Sequence, residues 1–108
     1  MEIDPSKAIA YIVTNSADYA KAKAERVYIE NFLRSKKSIL MSEAKSSTIS
    51  GAEAEAYAHP EYIELIQGLK EAVAKEEELK WKLIATQARI EVWRSTEASN
   101  RTIDRAVK

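Results

Sequence analysis

Cysteine is absent, glycine and proline occur twice each, and histidine once in 108 residues. Each shortage excludes something. Without cysteine there is no disulfide, no thiolate nucleophile and no thiolate metal ligand, a usage that suits a reducing cytoplasm, which is the expected location. With glycine only at Gly51 and Gly68, the chain has no phosphate-cradling loop and no dinucleotide-binding fingerprint. A lone His59 cannot build a histidine-rich metal site, so neither metal nor cofactor is expected. So few turn-forming residues argue against a many-stranded sandwich or barrel and for a small number of long helices. Net charge is also missing: 17 basic and 17 acidic residues cancel, which removes the global basic excess that draws in nucleic acid. Long apolar runs are absent too. The longest, about six residues from Ala8 to Val13, is too short to span a bilayer. It follows no basic leader, so neither a signal peptide nor membrane contact is expected.

What remains is a helix-forming composition rich in Ala, Glu, Lys, Ser and Ile. Asp4-Pro5 has the form of a helix start, with aspartate as N-cap and proline in the first turn. Thr14-Asn15-Ser16 is a polar break or kink, and from there a longer helix runs to about Lys45; the sequence leaves open whether residues 5–45 form one helix or two. Ser46 to Gly51 is a loop, and Ser50 with Glu53 resembles a capping box. His59-Pro60 marks the next boundary, because the residue before proline is pushed out of the α region. The last helix meets no stop signal until about Ser99-Asn100, and at 1.5 Å per residue it would be roughly 55–60 Å long.

Periodicity is strongest in that last helix. Tyr62, Leu65, Leu69, Ala72, Glu76, Leu79, Leu83, Thr86, Ile90, Trp93 and Glu97 follow steps of three and four, a heptad-like seam with polar interruptions. Glu76 on this seam is expected to pair with a lysine of the first long helix or to fix register. On that helix the apolar candidates are Ala17, Ala20, Ala24, Val27, Tyr28, Phe32, Leu33, Ile39 and Leu40. Two long helices with a short connection pack antiparallel, and charge supports the pairing: residues 21–45 are mainly basic and 53–78 mainly acidic. The expected fold is all-α. It is a long antiparallel helical hairpin, with coiled-coil-like packing, a short N-terminal helix and a short connecting helix, completed as a dimeric bundle. Residues 1–108 form one domain, with helices over about 5–14, 16–45, 51–58 and 60–98 and a frayed tail at 99–108.

Chemistry-bearing motifs each have a plainer reading. Glu55 and His59 lie four apart, a spacing that suits a weak metal contact, yet a histidine at a helix boundary needs no such role. Glu61-x-x-Glu64 and Glu76-Glu77-Glu78 resemble the acidic pairs of all-α nucleotide pyrophosphohydrolases. Those enzymes need a second Glu-x-x-Asp motif on a facing helix, and none is present, so the run reads as a solvated face. Asn100-Arg101-Thr102 matches the glycosylation sequon, which has no bearing on a chain that is not secreted. No set of residues makes a recognisable catalytic site, and the chain is expected not to be an enzyme.

Leu79 to Trp93 is the informative stretch. Leu79, Leu83, Ile90 and Trp93 lie on the seam, but Trp81, Ile84, Ala85, Ala88 and Val92 point to other sides. A helix that is apolar on most sides is normally covered from more than one direction, and tryptophan is enriched where proteins meet. Trp81, Ile84, Ala85, Ala88, Val92 and Trp93 are therefore the expected protein interface, with a second copy or another protein as occupant. Arg89, Arg94, Arg101 and Arg105 form an alternative nucleic-acid patch, diluted by Glu91, Glu97 and Asp104.

Tyr28-Ile29-Glu30, Ala58-His59-Pro60-Glu61-Tyr62 and Gln87 to Ser95 are similar to stretches of short helical proteins from tailed bacteriophages and prophages, encoded near replication and recombination functions. The resemblance covers residues 17–100 and implies a phage accessory protein that binds a host or phage protein of DNA metabolism or defence. No functional residue carries over from it.

Overall fold

A computed structural model describes residues 3–107. Among the described residues the chain is all-helical, with no strand and three helices: α1 (Pro5–Ser42), α2 (Ile49–Ala58) and α3 (Pro60–Val107). None of these is long and apolar enough to cross a membrane.

Asp4 caps α1 as expected, its Oδ1 accepting from the backbone N–H of Ser6 at 2.9 Å and of Lys7 at 3.3 Å. The helix then continues straight through Thr14-Asn15-Ser16. Asn15 Nδ2 donates to the Tyr11 carbonyl at 2.9 Å, so this amide bonds back along its own helix instead of capping a new one. One helix therefore replaces the expected short N-terminal helix and its successor, and it stops at Ser42, short of Lys45. Past its end, the Glu55 carboxylate accepts from the backbone N–H of Lys45 at 2.8 Å and of Ser46 at 3.2 Å.

The cap of α2 is Thr48, whose Oγ1 accepts from Gly51 N at 3.1 Å. Ser50 lies inside the helix, so the start near Gly51 is corrected to Ile49. His59 closes α2, its N–H donating to the Ala56 carbonyl at 3.2 Å. Its Nδ1 accepts from Glu61 N at 3.1 Å, so the same residue caps α3, with Pro60 in the first turn. The expected frayed tail is corrected as well, because α3 continues to Val107. Neither glycine nor proline follows Gly68. The hydroxyls of Thr96 and Thr102, which prefer to bond near backbone, donate to the carbonyls four residues back at 2.9 and 3.0 Å. Residue 108 lies outside the described residues.

The chain divides into two compact units, Met1–Tyr19 with Glu78–Lys108, and Ala20–Glu77. In the Ala20–Glu77 unit, Tyr62, Leu65, Leu69 and Ala72 of the expected α3 seam are half-buried and Glu76 is buried, 6% exposed. In the other unit Leu79, Leu83, Thr86, Ile90 and Trp93 continue the seam half-buried, while Glu97 is exposed and falls off it. The α1 row needs more correction. Ala17, Ala20, Ala24, Val27, Tyr28, Phe32 and Ile39 are exposed, whereas Leu33 is half-buried and Leu40 buried. The row turned inward in the Ala20–Glu77 unit is Ala22, Arg26, Ile29, Leu33, Lys36 and Leu40. Hydrophobicity alone misplaces this row because two of its positions are charged.

Those charges have partners. Arg26 Nε donates to Glu76 Oε2 and its Nη2 to Glu76 Oε1 at 3.2 Å, while Nη1 reaches Glu30 at 2.9 Å. Glu76 first, and Glu30 second, raise the guanidinium above its ordinary value. The expected lysine partner of Glu76 is thus an arginine, whose fork can hold both carboxylate oxygens. Lys36 Nζ lies 2.6 Å from Glu61 and Lys37 Nζ 3.4 Å from Glu53. Lys36 holds the Glu61 carboxyl below the usual range. Tyr57, whose ring centroid is 4.7 Å from Lys37 Nζ, does most to raise that ammonium above its own. As α1 advances from residue 26 to 36, its partners on α3 retreat from 76 to 61, so these two segments run antiparallel. The core between them is thin. Among the described residues, Leu40 is the one bulky residue of the buried hydrophobics, joined in this unit by Ala22, Ala52 and Ala56, and no large side chain is fully enclosed.

Two pairs of substitutions test this description. A Cβ at Gly51 would overlap Ser46 Oγ and stand 2.8 Å from Thr48 Oγ1. Gly51→Ala should therefore cost about 1–3 kcal/mol by crowding the cap. At Gly68 no atom lies within 4 Å of the added Cβ, so Gly68→Ala should gain about 0.5–1 kcal/mol. Urea unfolding followed by circular dichroism measures both. Arg26→Met leaves a buried carboxylate without its main partner and should lower the urea midpoint more than the double variant Arg26→Met/Glu76→Leu, in which both charges are gone. Equal midpoints would show that the pair does not hold these helices together.

Candidate interaction surface

Two open clefts lie in the unit formed by Met1–Tyr19 and Glu78–Lys108. Here the start of α1 lies against the second half of α3, and Ala8 is buried at the contact. One open cleft of about 600 Å³ runs between them, with Asp4, Lys7 and Tyr11 on one wall and Lys82, Ala85 and Arg89 on the other. A second, of about 480 Å³, is bounded by Ile3, Ala88, Val92, Trp93 and Thr96. Arg89 and Ile3 line both. The walls of the second cleft combine the aliphatic groups of Ile3, Ala88 and Val92 and the Trp93 indole with the polar side chains of Arg89, Thr96, Glu97 and Asn100.

Each expected interface residue can now be placed. Ala88, Val92 and Trp93 share the second cleft and Ala85 lines the first. Trp81 is 58% exposed and Val92 66%, and Ile84, Ala85 and Ala88 are exposed with them. Trp93 is half-buried on the seam, so the two indoles do different jobs. Trp81, Ile84, Ala88 and Val92 follow steps of three and four residues and so lie along one side of the helix, away from the seam. Lys80 Nζ stands 5.8 Å from the Trp81 ring centroid.

The arginines separate as well. Arg89 belongs to the clefts, and Arg94 lies 3.4 Å from Glu91. Arg94, Arg101 and Arg105 are spaced by seven and four residues on continuous helix and are exposed, so those three share a side.

The acidic groups do not gather. Glu76 turns to Arg26, and Glu78 to Lys82 at 2.8 Å. That contact holds the Glu78 carboxyl below and the Lys82 ammonium above their usual values. Glu55 and His59 border one small cavity of about 240 Å³, but both are engaged with backbone N–H groups, as described above. Among the described residues no group of three or more His, Asp or Glu side chains is placed to hold a metal ion.

One feature is not legible from spacing alone: Ala20, Ala24 and Val27 of α1 face outward, although their spacing has the form of a seam. Comparison with known proteins finds no family model, no curated protein and no solved structure that matches the chain.

Proposed function

We propose that the chain is a non-enzymatic interaction protein. It self-associates as a dimeric bundle of helical hairpins, and it holds a protein partner on the outward row of α3, Trp81, Ile84, Ala85, Ala88 and Val92, with Trp93 at its edge. The exposure of Trp81 and Val92 on a continuous helix carries this reading. Isolated surface aliphatics are ordinary, but an indole in line with isoleucine and valine is the composition of a protein-binding surface. The phage resemblance extends the proposal to a cytoplasmic accessory factor acting on a host or phage protein of DNA metabolism or defence.

Tagged wild-type protein, Trp81→Glu and Val92→Glu serve as baits in infected or lysogenic cells. All three should have the same helical circular dichroism, because the replaced side chains are exposed. A partner bound by the wild type should be lost by at least tenfold from both variants. Identical partners on all three baits would exclude this surface.

A second reading is favoured by the exposed arginine row on the helical end of α3: Arg94, Arg101 and Arg105, with Arg89 apart from them, contact DNA phosphates. It predicts affinity for single- or double-stranded DNA that falls steeply with salt, since counterion release dominates such binding. No shift at low salt, or a flat salt response, would remove it.

A further inference from the structure

His59 joins α2 to α3 with nearly every polar group it has. Its N–H donates to the carbonyl of Ala56, the most deeply buried residue of α2. Its own carbonyl accepts from Tyr62 N at 3.0 Å and from Ile63 N at 3.1 Å. Its Nδ1 accepts from Glu61 N at 3.1 Å. Pro60 has no N–H to offer, so these contacts take up the first three backbone donors of α3, at the end where a helix leaves such groups unpaired. Across the same junction the rings of Tyr57 and Tyr62 meet edge to face with centroids 5.3 Å apart. Of the three donors, only that of Glu61 relies on a side chain that can change its charge.

We infer that His59 makes the α2–α3 junction pH-sensitive, because its ring holds the start of α3 only while Nδ1 carries no proton. A neutral imidazole has one nitrogen that accepts, whereas an imidazolium has two that donate. Protonation therefore turns the acceptor facing Glu61 N into a second donor and leaves that N–H without its cap. It also places a positive charge at the positive end of α3. Histidine is the side chain whose charge ordinarily changes between pH 5 and 8, and this chain has one histidine and no cysteine.

Carboxylates around the ring act in the opposite sense, by attracting a cation. Glu55 of α2, with Glu43 and Lys45 of the segment after α1, borders the same small cavity as His59; on α3 the neighbour is Glu61. Two of these acids are already committed. Glu55 accepts from the backbone N–H of Lys45 and of Ser46, and Glu61 lies 2.6 Å from Lys36 of α1. Glu43 is exposed, as is Lys45 of opposite sign, and contacts between exposed charges contribute little. The lost cap and the helix end therefore decide the direction. The native contact requires the neutral ring and the unfolded chain does not. Its contribution is thus present at pH 7.5 and lost as the ring protonates on the way to pH 5.5.

Urea unfolding of the full chain at pH 7.5 and 5.5 tests this against His59→Asn, whose amide oxygen caps a helix at either pH. On acidification the wild-type midpoint should fall by about 0.5 M more than that of the variant, the loss expected when one cap is removed. Equal changes in the two proteins, or a midpoint that rises in the wild type alone, would overturn the inference. Nitrogen NMR of the wild-type ring checks the same contact without a substitution. At pH 7.5 Nδ1 should be the nitrogen without a proton, and the Glu61 amide signal should move with pH in step with the ring signals. A proton on Nδ1 at pH 7.5, or a Glu61 amide that does not follow the ring, would equally overturn it.

Discussion

The contact between Arg26 and Glu76 is the constraint on which the Ala20–Glu77 unit depends. A carboxylate that is 6% exposed needs a charged partner in place, and the guanidinium fork supplies two donors to it while also reaching Glu30. Sliding α3 by one turn would strand that carboxylate against the aliphatic neighbours of Arg26. Lys36 with Glu61 and Lys37 with Glu53 sit at more exposed positions, where each contact contributes little by itself. The Arg26–Glu76 pair, with its buried carboxylate, therefore constrains the register, and the outer pairs agree with it.

A register fixed by charge leaves little room for bulk. The seam is filled by alanines, half-buried leucines and the stems of charged residues, and its buried hydrophobics are mostly alanine. Much of the chain's aliphatic and aromatic surface consequently faces outward, in two different places. On α3 it includes Trp81, Ile84 and Val92; on α1 it includes Val27, Tyr28, Phe32 and Ile39. A thin internal core and two external apolar rows are thus one fact seen from two sides: the side chains that would have filled a core lie on the surface instead.

Much of this was legible in the sequence. The seam of α3 reads directly from the spacing of Tyr62, Leu65, Leu69, Leu79, Leu83 and Ile90, because those residues recur without competition. The caps at Asp4 and the boundary at His59-Pro60 follow from local chemistry alone. Other signals misled. Asn15 resembles a helix start, yet four residues of intact helix before it offer its amide the Tyr11 carbonyl. Ser99-Asn100 resembles a stop, but a weak helix former without glycine or proline does not end a helix. Hydrophobic spacing misplaces the phase of α1 because its inward row contains Arg26 and Lys36, and only their partners on α3 reveal that these positions turn inward. Tertiary pairing of that kind is invisible to periodicity.

If the outward rows are covered by association, folding and association must be linked, and the stability of the chain must depend on its concentration. Thermal unfolding followed by circular dichroism across a hundredfold range of protein concentration measures this directly. The midpoint should rise steadily with concentration, by several degrees over the range. A midpoint that stays fixed from the most dilute to the most concentrated sample would mean that the isolated chain is complete as it stands, and that its exposed rows take no part in holding it together.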